Sequence, residues 1–120
     1  MPTEIEIFAE MAGDYPAEVG AIALKLANTI LISHPELMPR ALPGWRALSF
    51  HHPKAGYVCG VFLMVEKTSL VFEHGRLLSD PEGILEGQGA RVRFVPFAPG
   101  REISHGMIWA YINEAISIKA

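Results

Sequence analysis

Only one cysteine, Cys59, occurs in the 120 residues, so the chain has no internal disulfide and no CxxC pair on which to build a structural zinc site. Positive charge is scarce as well: ten Lys and Arg stand against thirteen Asp and Glu, for a formal net charge of -3. Without clustered cations there is no general phosphate-binding surface, and nucleic acid is not an expected partner. The apolar run from Gly56 to Val65 stops at Glu66 and Lys67, short of the roughly 18 residues a membrane span requires. The acidic start MPTEIEIFAE has neither the basic opening nor the apolar run of a secretory signal. The expectation is a cytoplasmic protein with no membrane partner. Gly87-Gln88-Gly89 is followed by no Lys-Ser/Thr and opens no helix, which excludes a phosphate loop. Ser49, Ser69, Ser79 and Ser104 lie in no nucleophile elbow, and the five histidines are not spaced as helical ligand pairs. No catalytic residues are assigned.

What the chain does have is apolar content, 50% of its residues, enough for a single domain over 1–120 with its core in about 15–118. Val19, Ile22, Ala23, Leu26 and Ile30 recur at spacings of three and four, which predicts a helix over Pro16 to Ile32 with Asp14 capping its start and His34-Pro35 ending it. A shorter helix is expected over Glu4 to Met11, separated from the first by Gly13. Leu37 to Gly44, with two prolines and a glycine, reads as an irregular connection. Runs rich in β-branched and aromatic residues then predict strands over Arg46 to His52, Tyr57 to Val65, Ser69 to His74 and Arg91 to Phe97, with Pro96 marking an edge. Ser104 can cap a last helix whose Ile108, Ile112, Ala115 and Ile116 form a second stripe. The fold class is α+β: an antiparallel four-stranded sheet, with room for a fifth strand, and N- and C-terminal helices packed on one face.

Gly44-Trp45, Gly56-Tyr57-Val58-Cys59-Gly60, Phe72-Glu73-His74-Gly75, Leu78-Ser79-Asp80-Pro81 and Leu85-Glu86-Gly87 together resemble the YdhG-like family, a bacterial domain of unknown function. The likeness runs from Tyr15 to Ile116, and FxxGxxLxDPxxxLxGxG is its most distinctive part. Some relatives have been treated as frataxin-like iron chaperones, so the resemblance implies a similar sheet between N- and C-terminal helices and iron as an alternative cargo. Many relatives carry a lysine before the tryptophan and a proline shortly after it. This chain has Gly44 and Arg46-Ala47-Leu48 there, so a ligand contact from that lysine is not carried over.

If the tight turns set simple registers, residue 50 faces 59 and residue 61 faces 72, placing Leu48, Phe50, His52, Tyr57, Cys59, Val61, Phe72 and His74 on one sheet face. Cys59 and His74 then become neighbours, which raises metal binding or an activated thiolate against ordinary core packing. Arg93 matches an arginine of the family pattern; turned inward, it needs Asp80, Glu86 or an anionic ligand as a partner. Trp45 is either a stacking platform at a pocket mouth or a lid on the core. Glu6, Glu10, Asp14 and Glu18 lie four apart, like an acidic iron-binding ridge, although Gly13 and Pro16 interrupt them. Three functional expectations follow. The first is a non-enzymatic module without cofactor that binds a small molecule or protein in a groove between sheet and helices, near Trp45, His74, Asp80 and Arg93. The second is a frataxin-like iron carrier using the four N-terminal acids, and the third an enzyme centred on Cys59 and His74. Unpaired sheet edges could also support a homodimer.

Overall fold

Thr3 and Glu6 form a reciprocal capping box, Glu6 N to Thr3 Oγ1 and Thr3 N to Glu6 Oε1 both at 3.1 Å, and so start helix α1, Glu4–Ala12. The computed structural model describes residues 1–120 and continues with α2 (Ala17–Ser33), strands β1 (Met38–Leu42), β2 (Ala47–His52), β3 (Gly56–Leu63), β4 (Thr68–Phe72) and β5 (Arg93–Phe97), and α3 (His105–Lys119). The sheet is antiparallel throughout in the order β1-β2-β3-β4-β5. This is an α+β fold, and no helix in it is long and apolar enough to cross a membrane.

The apolar stripe of α2 is buried as its spacing predicts, with Val19, Ala23, Leu26 and Ile30 each 1% exposed or less. On α3, Ile108 and Ile112 are fully buried, and Ser104 caps the helix by accepting from the Met107 amide. Both helices meet β3, α1 packs on β1, and between helices and sheet lies one cluster that includes Phe8, Leu48, Phe50, Val61, Leu70 and Phe72. Asp14, expected to cap α2, does not. Pro16 occupies the cap position with no side-chain bond, and the Asp14 carboxylate pairs with Arg46 instead.

Leu37 to Gly44 is not irregular. Its centre is the edge strand β1, and Pro39 is compatible with it because its missing amide faces away from the sheet. The next outward amide of that edge, Ala41 N–H, donates to Glu4 Oε1 at 2.9 Å. The other edge is blunted the same way: Pro96 has no amide, and Phe94 exchanges two backbone bonds with Glu86. Few outward amides therefore remain for a strand from a second copy.

Two register expectations change. Phe50 faces Cys59 as the turn predicts, but Val61 faces Leu70 rather than Phe72, because β4 pairs from Thr68 opposite Leu63. The shift is an even number of residues, so the core face keeps its members. A bulge between Phe50 and His51 does more: Val58 and Cys59 are both buried in the core, and Tyr57 ends up opposite His51 on the outer face.

The segment after β4 is fastened to α3. Tyr111 Oη donates to Asp80 Oδ1 at 2.7 Å, and the Ile84 and Leu85 amides donate to the two Asp80 oxygens at 2.9 and 3.2 Å. Gly75 is required by close approach: a Cβ there would lie 2.4 Å from Arg93 Cβ and 2.8 Å from Arg93 N. Asp80 itself has φ 48°, a left-handed conformation that Asp and Asn tolerate better than other residues. Partial burial pushes the Asp80 carboxyl up, but the hydrogen bonds from Tyr111 and the loop amides outweigh it and hold the pKa below the usual value. Asp80→Ala is expected to lower stability by about 1–3 kcal/mol in urea unfolding, with Asp80→Asn losing clearly less. A depressed folded-state pKa contributes stability that is full above the unfolded value and vanishes as pH falls through the folded one. Urea midpoints measured from about pH 7 to about pH 3 should therefore drop less steeply below pH ~4 in Asp80→Asn than in the parent.

Candidate functional site

The helices cover one face of the sheet and leave the other open. Strand alternation puts Arg40, Ser49, Gly60, Val71 and Phe94 in one cross-strand row on that open face, with Leu42, Ala47, Phe62, Ser69 and Pro96 in the next. The centre of both rows is made of small residues. Ala47, Ser49 and Ser69 are at most 3% exposed although no helix lies above them. Larger neighbours lean over them instead: a Cβ on Gly60 would come within 2.9 Å of the Phe62 ring and 3.0 Å of Tyr57 Oη.

The result is a cavity of about 430 Å3 open to solvent, lined by Arg40, Leu42, Trp45, Ser49, His51, Tyr57, Phe62 and Glu73. Trp45 stands at its rim, 71% exposed, on the short helical turn Pro43–Trp45. The following residue, Arg46, has φ 54° and anchors this corner to the helices. Its guanidinium donates to Asp14 Oδ2 at 2.7 Å, Tyr15 Oη at 3.2 Å and the Met11 carbonyl at 3.3 Å.

Polar groups on the floor are few and ordered. Ser49 Oγ donates to the Arg40 carbonyl at 3.2 Å and lies 3.1 Å from His51 Nε2. The hydroxyl has one proton; given to Arg40, it makes Ser49 an acceptor toward His51, which assigns the proton of the neutral ring to Nε2 and leaves Nδ1 an acceptor. Burial, followed by the charges of Arg40 and Lys119, pushes the His51 pKa down, so the neutral form prevails at neutral pH. Tyr57 packs tilted against His51 with ring centroids 5.6 Å apart, and burial raises its phenol pKa. At the far end Lys119, from the last turn of α3, bonds Glu73 Oε1 at 2.7 Å and also the Tyr57 carbonyl. The Lys119 hydrogen bond outweighs the opposing effect of partial burial and lowers the Glu73 pKa. Glu73 is thus neutralised by Lys119, whereas the Lys and Arg ion pairs of the chain, Arg46–Asp14 and Lys119–Glu73, leave Arg40 without a carboxylate.

The four residues expected to surround a groove between sheet and helices do not converge. That interface is filled, with Phe50, Phe72, Phe97, Ile108 and Ile112 at 1% exposure or less. Trp45 is no core lid and lines the open-face cavity; His74 sits beyond β4, 3.3 Å from Glu73, beside a separate cleft of about 220 Å3 with Arg76 and Arg91. Asp80 is consumed by Tyr111 and the loop amides. Arg93 does share its strand face with Val95 and Phe97, but it pairs with neither Asp80 nor Glu86. At the start of the strand its guanidinium turns to the Gly89 and Val92 carbonyls, both at 2.7 Å, which the preceding loop brings within reach.

Cys59 faces Phe72, not His74, and is fully buried; burial alone pushes its thiol pKa up, away from thiolate chemistry. The acids do not form a ridge either. Glu6 is used in the capping box, Asp14 is paired with Arg46, Glu10 borders that pair and Glu18 lies across the helix break on α2. No group of three His, Cys, Asp or Glu side chains converges as a metal site. The residues that sequence reasoning passed over are Arg40, Ser49, His51, Tyr57 and Phe62. The available signal was Ser49, His51 and Gly60 alternating with core residues, and the bulge concealed Tyr57. Comparison of the chain with protein-family models, curated proteins and solved structures returned no match.

Cys59 is expected to react with a maleimide only as the chain opens, its rate following urea unfolding. Rapid alkylation of the folded protein, slowed by His74→Ala, would instead restore a thiol–imidazole site.

Proposed function

We propose that this chain is a YdhG-like domain that acts as a non-enzymatic binding module, taking a small molecule on the open face of its sheet. The observation that carries this reading is the solvent-open cavity on that face, with Ser49 at its floor and Trp45, Tyr57 and Phe62 in its walls, beside the small residues Ala47, Gly60 and Ser69 that neighbouring side chains cover. An uncovered antiparallel face normally carries solvated polar side chains. Here the centre is kept small and buried while aromatic side chains stand around it, which is the arrangement of a recognition site: concave, mainly apolar, with a few placed polar groups. Its volume of about 430 Å3 falls within the roughly 300–1,000 Å3 of small-molecule sites. The chemistry also favours binding over turnover. Tyr57 is kept protonated, the only thiol is sealed in the core and Ser49 directs its proton to a backbone carbonyl.

A thermal-shift screen of small metabolites tests the reading, followed by titration of hits in a Trp109→Phe background where Trp45 is the single tryptophan reporter. A true ligand at about 100 times its Kd should raise stability by about 2.7 kcal/mol. Ser49→Phe, which fills the floor, should abolish the shift, and Trp45→Ala, at an exposed position that folding does not need, should weaken it about tenfold or more. Hits whose affinity is unchanged in both variants would place binding elsewhere and end this proposal.

A further inference from the structure

Resting on the open-face reading, we infer that the cavity takes a planar monoanion, an aromatic or heteroaromatic carboxylate, with its ring against the Trp45–Tyr57–Phe62 rim and its carboxylate on the Arg40 guanidinium. Charge complementarity selects the anion. Two formal charges line the cavity besides the neutral His51, and they differ in kind. Glu73 is bonded to Lys119 at 2.7 Å and lies 3.3 Å from His74 Nε2, so its charge is answered inside the protein. Arg40 has no carboxylate and donates no side-chain hydrogen bond; its backbone carbonyl is held by Ser49, which fixes the strand while leaving the guanidinium free. Arg40 also contributes, after the larger effect of burial, to lowering the pKa of the neighbouring His51.

Shape selects the ring. Three aromatic side chains and Leu42 supply apolar walls, and a cavity of about 430 Å3 has room for a ring system with its substituents. A guanidinium meets a carboxylate through two parallel N–H donors in one plane, so an arginine at the cavity edge fixes a planar carboxylate more sharply than a lysine would. A free cation close to stacking surfaces suits an aromatic acid better than a bare inorganic anion, which would use none of the apolar wall.

The test uses the full chain carrying Trp109→Phe, with Trp45 fluorescence and thermal shift as readouts. The probes are benzoate, salicylate, nicotinate and indole-3-acetate, each against its uncharged amide. At least one acid should bind about 10–100-fold tighter than its amide, the range set by a charge-assisted pair. Arg40→Gln should erase that difference while leaving amide affinity within about twofold, and Arg40→Lys should restore part of it. Arg40 is exposed on an edge strand, so these variants should keep the parent's unfolding midpoint. Amides binding as tightly as acids, an acid preference that survives Arg40→Gln, or no binding by any acid at millimolar concentration would each overturn the inference. Amide binding that is lost in Trp45→Ala leaves the open-face module standing, whereas acid binding indifferent to both Trp45→Ala and Ser49→Phe counts against that module itself.

Discussion

Three helices cover one face of a five-stranded antiparallel sheet, and the second face has to be stabilised by the strands themselves. Antiparallel sheets tolerate a solvated face when its side chains are polar and long enough to shield the backbone. This sheet does something else at its centre, where Ala47 and Ser69 are completely buried and Ser49 nearly so. The shielding comes sideways, from Phe62 and Tyr57 over Gly60 and from Met64, whose sulfur lies 3.6 Å from Ser69 Oγ. A larger residue at Gly60 would collide with the rings that cover it, so the small floor and the aromatic rim depend on each other. The bulge in β3 belongs to the same arrangement, since without it Tyr57 would point into the helices.

The corners of the sheet are fixed by contacts between residues far apart in sequence. Arg46 joins the β1–β2 corner to the α1–α2 connection, Lys119 joins the end of α3 to Glu73 and the start of β3, and Asp80 with Tyr111 joins the long β4–β5 connection to α3. Their energies differ. Asp14 is 70% exposed in its pair with Arg46, and such pairs contribute at most about 1 kcal/mol. Orientation is the larger effect there, because Arg46 in a left-handed conformation sets the direction in which Trp45 leaves the sheet. Asp80 is different, accepting three hydrogen bonds in a partly buried setting where a lost acceptor leaves donors unsatisfied.

Local chemistry made the helices and the meander legible. The stripes on α2 and α3, the Ser104 cap and the position of Pro96 all follow from neighbours within one turn or one strand. The departures come from partners that lie outside the helix turn or strand in which each residue is read. Asp14 looks like a cap until Arg46, 32 positions away, takes its carboxylate, and Pro39 looks like a break until β2 pairs with it. Arg93 looks buried because its strand face is apolar, yet its long side chain leaves at the start of the strand and finds loop carbonyls instead. Of the candidate site, Trp45 was legible as an aromatic with two roles to choose between. Arg40, Ser49 and His51 were not, since outward residues of a strand look like ordinary solvated surface until the face is known to be concave.

The segment from Phe72-Glu73-His74-Gly75 through Asp80-Pro81 is mainly a device for closing the sheet. Gly75 lets the chain pass against Arg93, and Asp80 holds the turn onto Tyr111. One of its residues reaches the open face, and its role there is electrostatic. Left alone, Glu73 would oppose Arg40 across the cavity and favour a cation or a zwitterion. Lys119 prevents this by crossing from the end of α3 to the Glu73 carboxylate while also holding the Tyr57 carbonyl. The same contact therefore sets the rim of the cavity and leaves Arg40 as its unanswered charge, so the packing of the last helix against the sheet sets the charge balance of the open face.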